Sequence, residues 1–350
     1  MKKYNTVSLA MAFFFLLMTA FVIWVNYNKP RILVLHSYSN DYIWTREVNT
    51  GLDRILEGQS WFSLRYHYMK TKLFKDKDSL RRASIAARHA IEKNRPDVLI
   101  AIDDYAQKLA AKYYVDHPDI NIVFAGVNGS IEPYGYDKAN NVTGILERKQ
   151  VHALKEVILL ISRNSGEKLG RKDRKIRALF LTDPALSGKR DSDYINSFDW
   201  EPIDYRGTIF ADNYEEWKKC VLEIQERADF LLVSGYRKLP YSEKNSKFVP
   251  PETLMEWTEA NSPIPIIGMN FFNTNDGAML SVGVSPYEQG EVAARMALEI
   301  LSKKKRTRDI PVQTSQQYVI SLRKSALKRR DLKVPKIFEA FARATNNYFD

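Results

Sequence analysis

Residues 31–44 read RILVLHSYSNDYIW, and the fold turns on how their first half is taken. ILVL is apolar without alternation, which is the pattern of a strand buried on both faces, and such strands belong to parallel sheets covered by helices. The second half, HSYSNDYIW (36–44), packs one histidine, two serines, an asparagine, an aspartate, two tyrosines and a tryptophan into nine positions. In open parallel sheets ligands bind at the carboxyl ends of the strands, so this density of polar and aromatic groups marks a meeting place with a ligand.

The alternation continues outward from there. A helix is expected over 43–57, a strand at 61–70, a helix at 79–94, a buried strand at 96–103, a helix at 104–117 and a strand at 120–128. A second series starts with a strand at 141–146 and a helix at 150–162. Strands at 175–183, near 202–210, 229–236 and 263–270 follow, with helices near 188–197, 214–228 and 251–261 between them. A strand at 277–285, a long helix at 286–305 and a strand-helix tail from 316 complete the pattern. Strand-then-helix repetition implies parallel strands with right-handed crossovers, and two α/β lobes fit it better than one large sheet.

At 350 residues, 45% of them hydrophobic, the chain is long enough for two domains. The net charge of +11 raises nucleic acid, anionic lipid and anionic ligands as partners. The basic runs EKLGRKDRK (167–175), KKKRTR (303–308) and LKRRDLK (327–333) are read as solvated helix ends and loops. A single cysteine, Cys220, leaves no intrachain disulfide and suggests no thiolate metal site.

Lys2 and Lys3 precede an uncharged stretch from Tyr4 to Asn28, with the apolar core VSLAMAFFFLLMTAFVIWV at 7–25. About 20 such residues cross a hydrocarbon layer as a helix. The run outlasts a signal-peptide core, ends in bulky Trp24 and Val25, and carries neither a small-residue cleavage pattern nor a lipobox cysteine. Residues 1–29 are therefore expected to be an uncleaved anchor, with residues 29–350 across the membrane; a cleaved signal peptide is the alternative.

The strand ends expected at a cleft are His36-Ser37-Tyr38, Asp103-Asp104-Tyr105, Asn128-Gly129-Ser130, Thr182-Asp183, Ser234-Gly235-Tyr236 and Asn270-Phe271-Phe272. Catalytic motifs are missing: GxGxxG, GxxxxGK[ST], GxSxG and HExxH do not occur, and the five histidines show no metal-ligand spacing. No catalytic residue, metal or cofactor is expected. A periplasmic enzyme using His36 or the Asp103-Asp104 pair is the alternative function. Of the aspartates, one is expected to cap the following helix and the other to face the ligand. Nucleic acid is not expected as a partner, because a membrane span occupies the place where a DNA-binding module would precede such lobes.

RILVLHSYSNDYIWTREVNTGL, DVLIAIDDYAQKLA, INIVFAGVNG, NVTGILE, GAMLSVGVSPYEQGEVAARMALEIL and QQYVISLRKSALKRRDLKVP, in this order, resemble the substrate-binding proteins of ABC transporters with a type I periplasmic-binding fold. The closer likeness is to the branch shared with extracytoplasmic sensor domains of histidine kinases and diguanylate cyclases. The resemblance runs from about residue 31 to 345. It implies two Rossmann-like lobes joined by a three-strand hinge, crossing near 145–148, 273–280 and 308–316. Lobe 1 would hold 30–146 plus about 277–308, and lobe 2 would hold 147–276 plus about 309–350. The lobes would close on a small molecule held by Ser37, Tyr38, Trp44, Asp103, Asp104 and Asn128 from lobe 1 and by Asp183, Ser187, Tyr236 and Asn270 from lobe 2. The closed form would be read by an ABC permease or by a sensory kinase or cyclase. Two consecutive aspartates where many relatives have small residues favour a ligand with amino groups or several hydroxyls.

Overall fold

The computed structural model describes residues 6–73, 76–164, 174–302 and 305–350. Lys2, Lys3 and Tyr4, most of the basic run at 167–175, and Lys303 and Lys304 lie outside the described residues. Helix α1 (Thr6–Tyr27) is long and apolar enough to cross a membrane, and its residues from Ser8 onward are exposed.

From Arg31 the chain builds a sheet of parallel strands: β1 (Arg31–His36), β2 (Ser63–Tyr68), β3 (Val98–Ile102), β4 (Asn121–Val127) and β5 (Val142–Leu146). Helices α2 (Ile43–Leu56), α3 (Lys77–Asn94) and α4 (Asp103–Leu109) connect them. β1 and β3 are buried along almost their whole length, as unalternating apolar runs must be when helices cover both faces.

A second sheet follows, with β6 (Arg177–Thr182), β7 (Asp204–Phe210), β8 (Phe230–Val233), β9 (Ile266–Gly268) and β10 (Leu280–Val284). Its helices are α5 (Val151–Asn164), α6 (Leu186–Asn196), α7 (Tyr214–Glu223), α8 (Pro251–Asn261) and the single turn α9 (Phe272–Asn275). The chain then returns through α10 (Pro286–Leu301) and β11 (Gln313–Thr314) before β12 (Tyr318–Arg323), α11 (Lys324–Arg330), α12 (Lys336–Ala344) and β13 (Tyr348–Phe349). The strand orders are β11-β5-β4-β3-β1-β2 and β13-β12-β10-β9-β8-β6-β7. Every pairing is parallel except β10 with β12.

These pairings correct two expected crossings. The stretch 277–285 was expected in lobe 1, but β10 pairs with β9 and β12, so the second crossing falls at Ser285 and not at 273–280. α10 does belong to lobe 1, where it packs against α2. Glycines on both helices make that approach possible: a Cβ on Gly51 would strike the Tyr287 carbonyl, and one on Gly290 the Val48 carbonyl. The third crossing runs from β11 to β12, which leaves 309–314 in lobe 1 and 318–350 in lobe 2. Two-residue β11 is too short to show any periodicity in sequence.

The crossings are tied together. The Glu288 carboxylate accepts from the backbone N–H groups of Gln316 (3.0 Å) and Gln317 (2.9 Å), and Ser315 Oγ accepts from Arg148 N (3.0 Å). The second crossing is therefore bonded to the third, and the third to the first.

Candidate functional site

The carboxyl ends of the two sheets face each other across a cavity. From lobe 1 it is walled by Tyr38 and Tyr42 in the loop after β1, Trp44 in α2, Lys72 after β2, Asp103 after β3 and Asn128 after β4. Glu147 and Lys149 line it from the first crossing. Lobe 2 contributes Ser187 and Asp191 from α6, Ser234 to Arg237 after β8, Asn270 after β9 and Phe272 in α9. The lobes touch: Lys238 Nζ donates to the Thr71 carbonyl (3.1 Å), and the Phe272 ring meets Tyr42 edge-on at 6.3 Å. The cavity is accordingly about 50 Å³, room for a few waters.

Its polar floor is a connected network. The buried Lys149 ammonium donates to Asn270 Oδ1 (2.7 Å) and pairs with Glu147 (3.3 Å) and Asp191 (3.4 Å). Ser234 Oγ donates to Asp191 Oδ2 (2.6 Å) and accepts from Asn270 Nδ2 (3.1 Å). Burial opposes the charge on Lys149, but the carboxylates of Asp191 and Glu147 outweigh it and raise its pKa. Burial raises the Glu147 carboxyl despite the same lysine. Arg148 fixes the loop after β4 by donating to the carbonyls of Val127 (3.0 Å), Asn128 (2.9 Å) and Gly129 (3.0 Å).

The aromatic wall carries its own cations. Lys72 Nζ lies 4.7 Å from the Tyr38 ring centroid, and the Arg237 guanidinium 4.5 Å from that of Phe272. Arg237 is also held by Asp276 at 2.6 Å, which accepts from the Tyr236 hydroxyl at 2.5 Å. Tyr236 lines the cavity, but its hydroxyl is engaged by Asp276 and Asn273 and its ring packs on Trp217 in the lobe 2 core.

Asp103 stands apart. Its φ is +67°, a left-handed conformation that costs a residue with a Cβ about 1–2 kcal/mol. Its carboxyl is buried, and burial together with the Glu147 charge raises its pKa well above the usual carboxylate range, against the pull of Lys72. Oδ2 has no hydrogen-bond partner, nor has the indole N–H of Trp44, which lies near enough to favour the charged carboxylate without closing a bond. A strained backbone and an unmet acceptor and donor in one cavity are features expected where a ligand supplies the missing partners.

The structure thus brings Tyr38, Trp44, Asp103, Asn128, Ser187, Tyr236 and Asn270 together around one space, and sets three other expected residues behind its wall. Ser37 Oγ donates to the Ile102 carbonyl (2.8 Å) and accepts from Ala106 N (2.7 Å). That bond corrects the expectation that an aspartate caps α4: the first turn is served by a serine from the neighbouring strand. Asp104 accepts from the Tyr134 hydroxyl (2.7 Å) and Asn128 N (3.2 Å), and Asp183 from Ala185 N (3.0 Å). His36 is also off the cavity, fully buried, stacked on Tyr68 at 5.2 Å and bonded through Nε2 to Asn49 (2.8 Å). Burial lowers its pKa to about 4.

Lys72, Glu147, Lys149, Asp191 and Arg237 escaped the sequence reading. Glu147-Arg148-Lys149 gave a usable signal, a charged run directly after a strand at an expected crossing. Lys72 lies beyond the end of an edge strand, and Asp191 sits inside α6, where no strand end marks it.

Two sheets of parallel strands, three crossings and a cavity between facing strand ends define a two-lobed type I periplasmic-binding fold. Residues 252–345 match the family model described as ABC transporter substrate binding protein. Among solved structures, a conserved domain protein from Vibrio cholerae shares the fold with a TM-score of 0.64 and 16% identity, over 92% of this chain and all (100%) of that one. An ABC domain from Streptococcus pneumoniae in complex with L-Trp aligns with a TM-score of 0.61 and 14% identity, over 90% and 98% of the two chains. A ligand-free, open substrate binding protein with adhesive properties from Clostridium difficile gives 0.60 and 16%, over 87% and 96%. No curated protein matches the sequence.

Proposed function

We propose that this chain is a solute-binding protein, held at the outer face of the cytoplasmic membrane by α1, whose lobes close on a small molecule and present the closed form to a membrane partner. The observation that carries this reading is the cavity walled from both lobes, two of whose lining residues, Asp103 and Trp44, bury a carboxyl oxygen and an indole N–H with no hydrogen-bond partner among the described residues. A static protein has no use for a strained, unsatisfied carboxylate; a ligand donor repays that cost on binding. The ligand carries an ammonium or hydroxyl donor for Asp103 and an apolar or ring portion for Tyr38, Tyr42, Trp44 and Phe272. The L-Trp complex of the pneumococcal domain supports this chemistry as one that the fold accommodates.

The partner is an ABC permease or a sensory kinase or cyclase. Closure works by differential affinity: the ligand contacts both lobes only when they meet, so it shifts the population toward the closed form. Thermal unfolding of the full chain in detergent is measured against L-Trp and other amino acids, amines, sugars and nucleosides. A concentration-dependent rise in Tm with the compound recovered unchanged supports the reading. Chemical turnover of a stabilising compound overturns it in favour of an enzyme.

A further inference from the structure

At the opposite end of lobe 1 from the cavity, the amino ends of the strands form a foot. Arg31, Asp97 and Asn121 lie side by side there, joined by Asp97 N to the Arg31 carbonyl (2.9 Å) and Asn121 N to the Asp97 carbonyl (3.0 Å). Asn28, Lys29 and Pro30 alone separate α1 from β1. So short a link spans about 14 Å at full extension, and the Arg31 guanidinium donates back to the Tyr27 carbonyl at 3.2 Å. If α1 spans the bilayer, the foot stands on its surface.

Two independent features of the foot fit that surface. The loop after α10 borders a groove of about 420 Å³ whose charged wall residues, among the described residues, are all basic: Lys305, Arg306 and Arg308, beside Asn121, Asn140 and Thr307. Thr307 Oγ1 donates to Asn121 Oδ1 (2.6 Å), which fixes the loop to the end of β4. Glu299 pairs with Lys305 (3.0 Å), and Asp309 with Arg306 (2.7 Å) and Arg308 (3.9 Å), so among the described residues two carboxylates answer these three cations. All three cations remain at least half exposed, at 51%, 68% and 51%. On the turn between α2 and β2, before the amino end of the edge strand, Trp61 is 41% exposed, and Ser63 N, two residues on, bonds the Pro30 carbonyl (2.7 Å) near α1. An exposed tryptophan and exposed basic side chains at the same end of a lobe are the composition that settles at a lipid headgroup layer.

We infer that the foot of lobe 1 is a docking surface for anionic phospholipid, with Lys305, Arg306 and Arg308 on headgroup phosphates and Trp61 at the interface. Lobe 1 is then held in a fixed attitude on the membrane, and closure is a movement of lobe 2. This rests on α1 being a membrane anchor.

The test uses the full chain on vesicles of phosphatidylcholine alone and with phosphatidylglycerol, read by hydrogen exchange of 57–62 and 305–310. Exchange there is expected to slow roughly tenfold on the anionic vesicles only, and a K305E/R306E/R308E variant is expected to lose the difference. Equal exchange on both vesicles overturns the inference, as does the same slowing with inorganic phosphate and no vesicle. Flotation with neutral vesicles reports separately on the anchor: failure to float sinks that reading, whereas floating with equal exchange sinks only the foot. W61A, which alters no basic residue, keeps the fold and is expected to lose part of the protection.

Discussion

Lys149 Nζ lies 2.7 Å from Asn270 Oδ1, and this bond ties the first crossing between the lobes to a strand end of lobe 2. The same ammonium neutralises Glu147 and Asp191, so one buried side chain joins hinge, cavity floor and second lobe. Removing one partner of a buried ion pair leaves the others desolvated and uncompensated. Lys149→Met is expected to cost roughly 3–5 kcal/mol of stability, measured by denaturant unfolding. Adding Glu147→Gln should recover part of that loss, because the remaining carboxylate Asp191 still has Ser234 as donor.

Asp103→Asn separates binding from folding. Asparagine tolerates the left-handed conformation and replaces a carboxyl that burial already pushes toward its neutral form, so the Tm of the ligand-free protein should change little. Ligand affinity should fall by about 100-fold or more, as expected when a charged acceptor for a buried donor is lost. A variant that binds as well as the parent would mean that Asp103 does not face the ligand.

His36 makes acid stability fall in a defined window. Its pKa drops from 6.5 to about 4 on folding, so the stability it contributes is complete above pH 6.5 and is lost as pH falls toward 4. By the linkage of about 1.4 kcal/mol per pKa unit, the loss approaches roughly 3 kcal/mol. Raised carboxyls such as Asp276, at about 6, push the other way, so the quantity to compare is the parent minus His36→Gln. That difference in unfolding free energy should shrink between pH 6.5 and 4.

Lys238 gives closure an alkaline slope. Burial and the neighbouring Lys72 lower it from 10.5 to about 8 against the pull of Asp183, while its Nζ bonds the Thr71 carbonyl across the cleft. The cost of keeping it charged is fully present below pH 8 and disappears toward 10.5, so the closed form should gain population over that range. Small-angle scattering at stepped pH should show compaction in the parent and a reduced slope in Lys238→Met.

The lobes were legible because β1, β3 and β4 are buried on both faces and announce themselves as unbroken apolar runs. The crossings were legible only in part. Nothing in GAMLSVGVS states which sheet β10 joins, since its partners β9 and β12 are both apolar and either lobe would bury it. At the strand ends, side-chain direction was not readable: Ser37 and Tyr38 are neighbours, yet one serves α4 and the other lines the cavity. Lys149 and Asn270 are 121 positions apart, and no local pattern couples them.

Two lobes that close on a small molecule must come nearer to each other when it binds. Spin labels at exposed Arg46 in lobe 1 and Lys189 in lobe 2, with Cys220 replaced by serine, report the distance between lobes by pulsed electron resonance in the full chain. With a compound identified by thermal shift, the distances should gather into one short population, and that shift should vanish in Asp103→Asn. An unchanged distance distribution with the compound bound at saturation would mean that the lobes do not close on it.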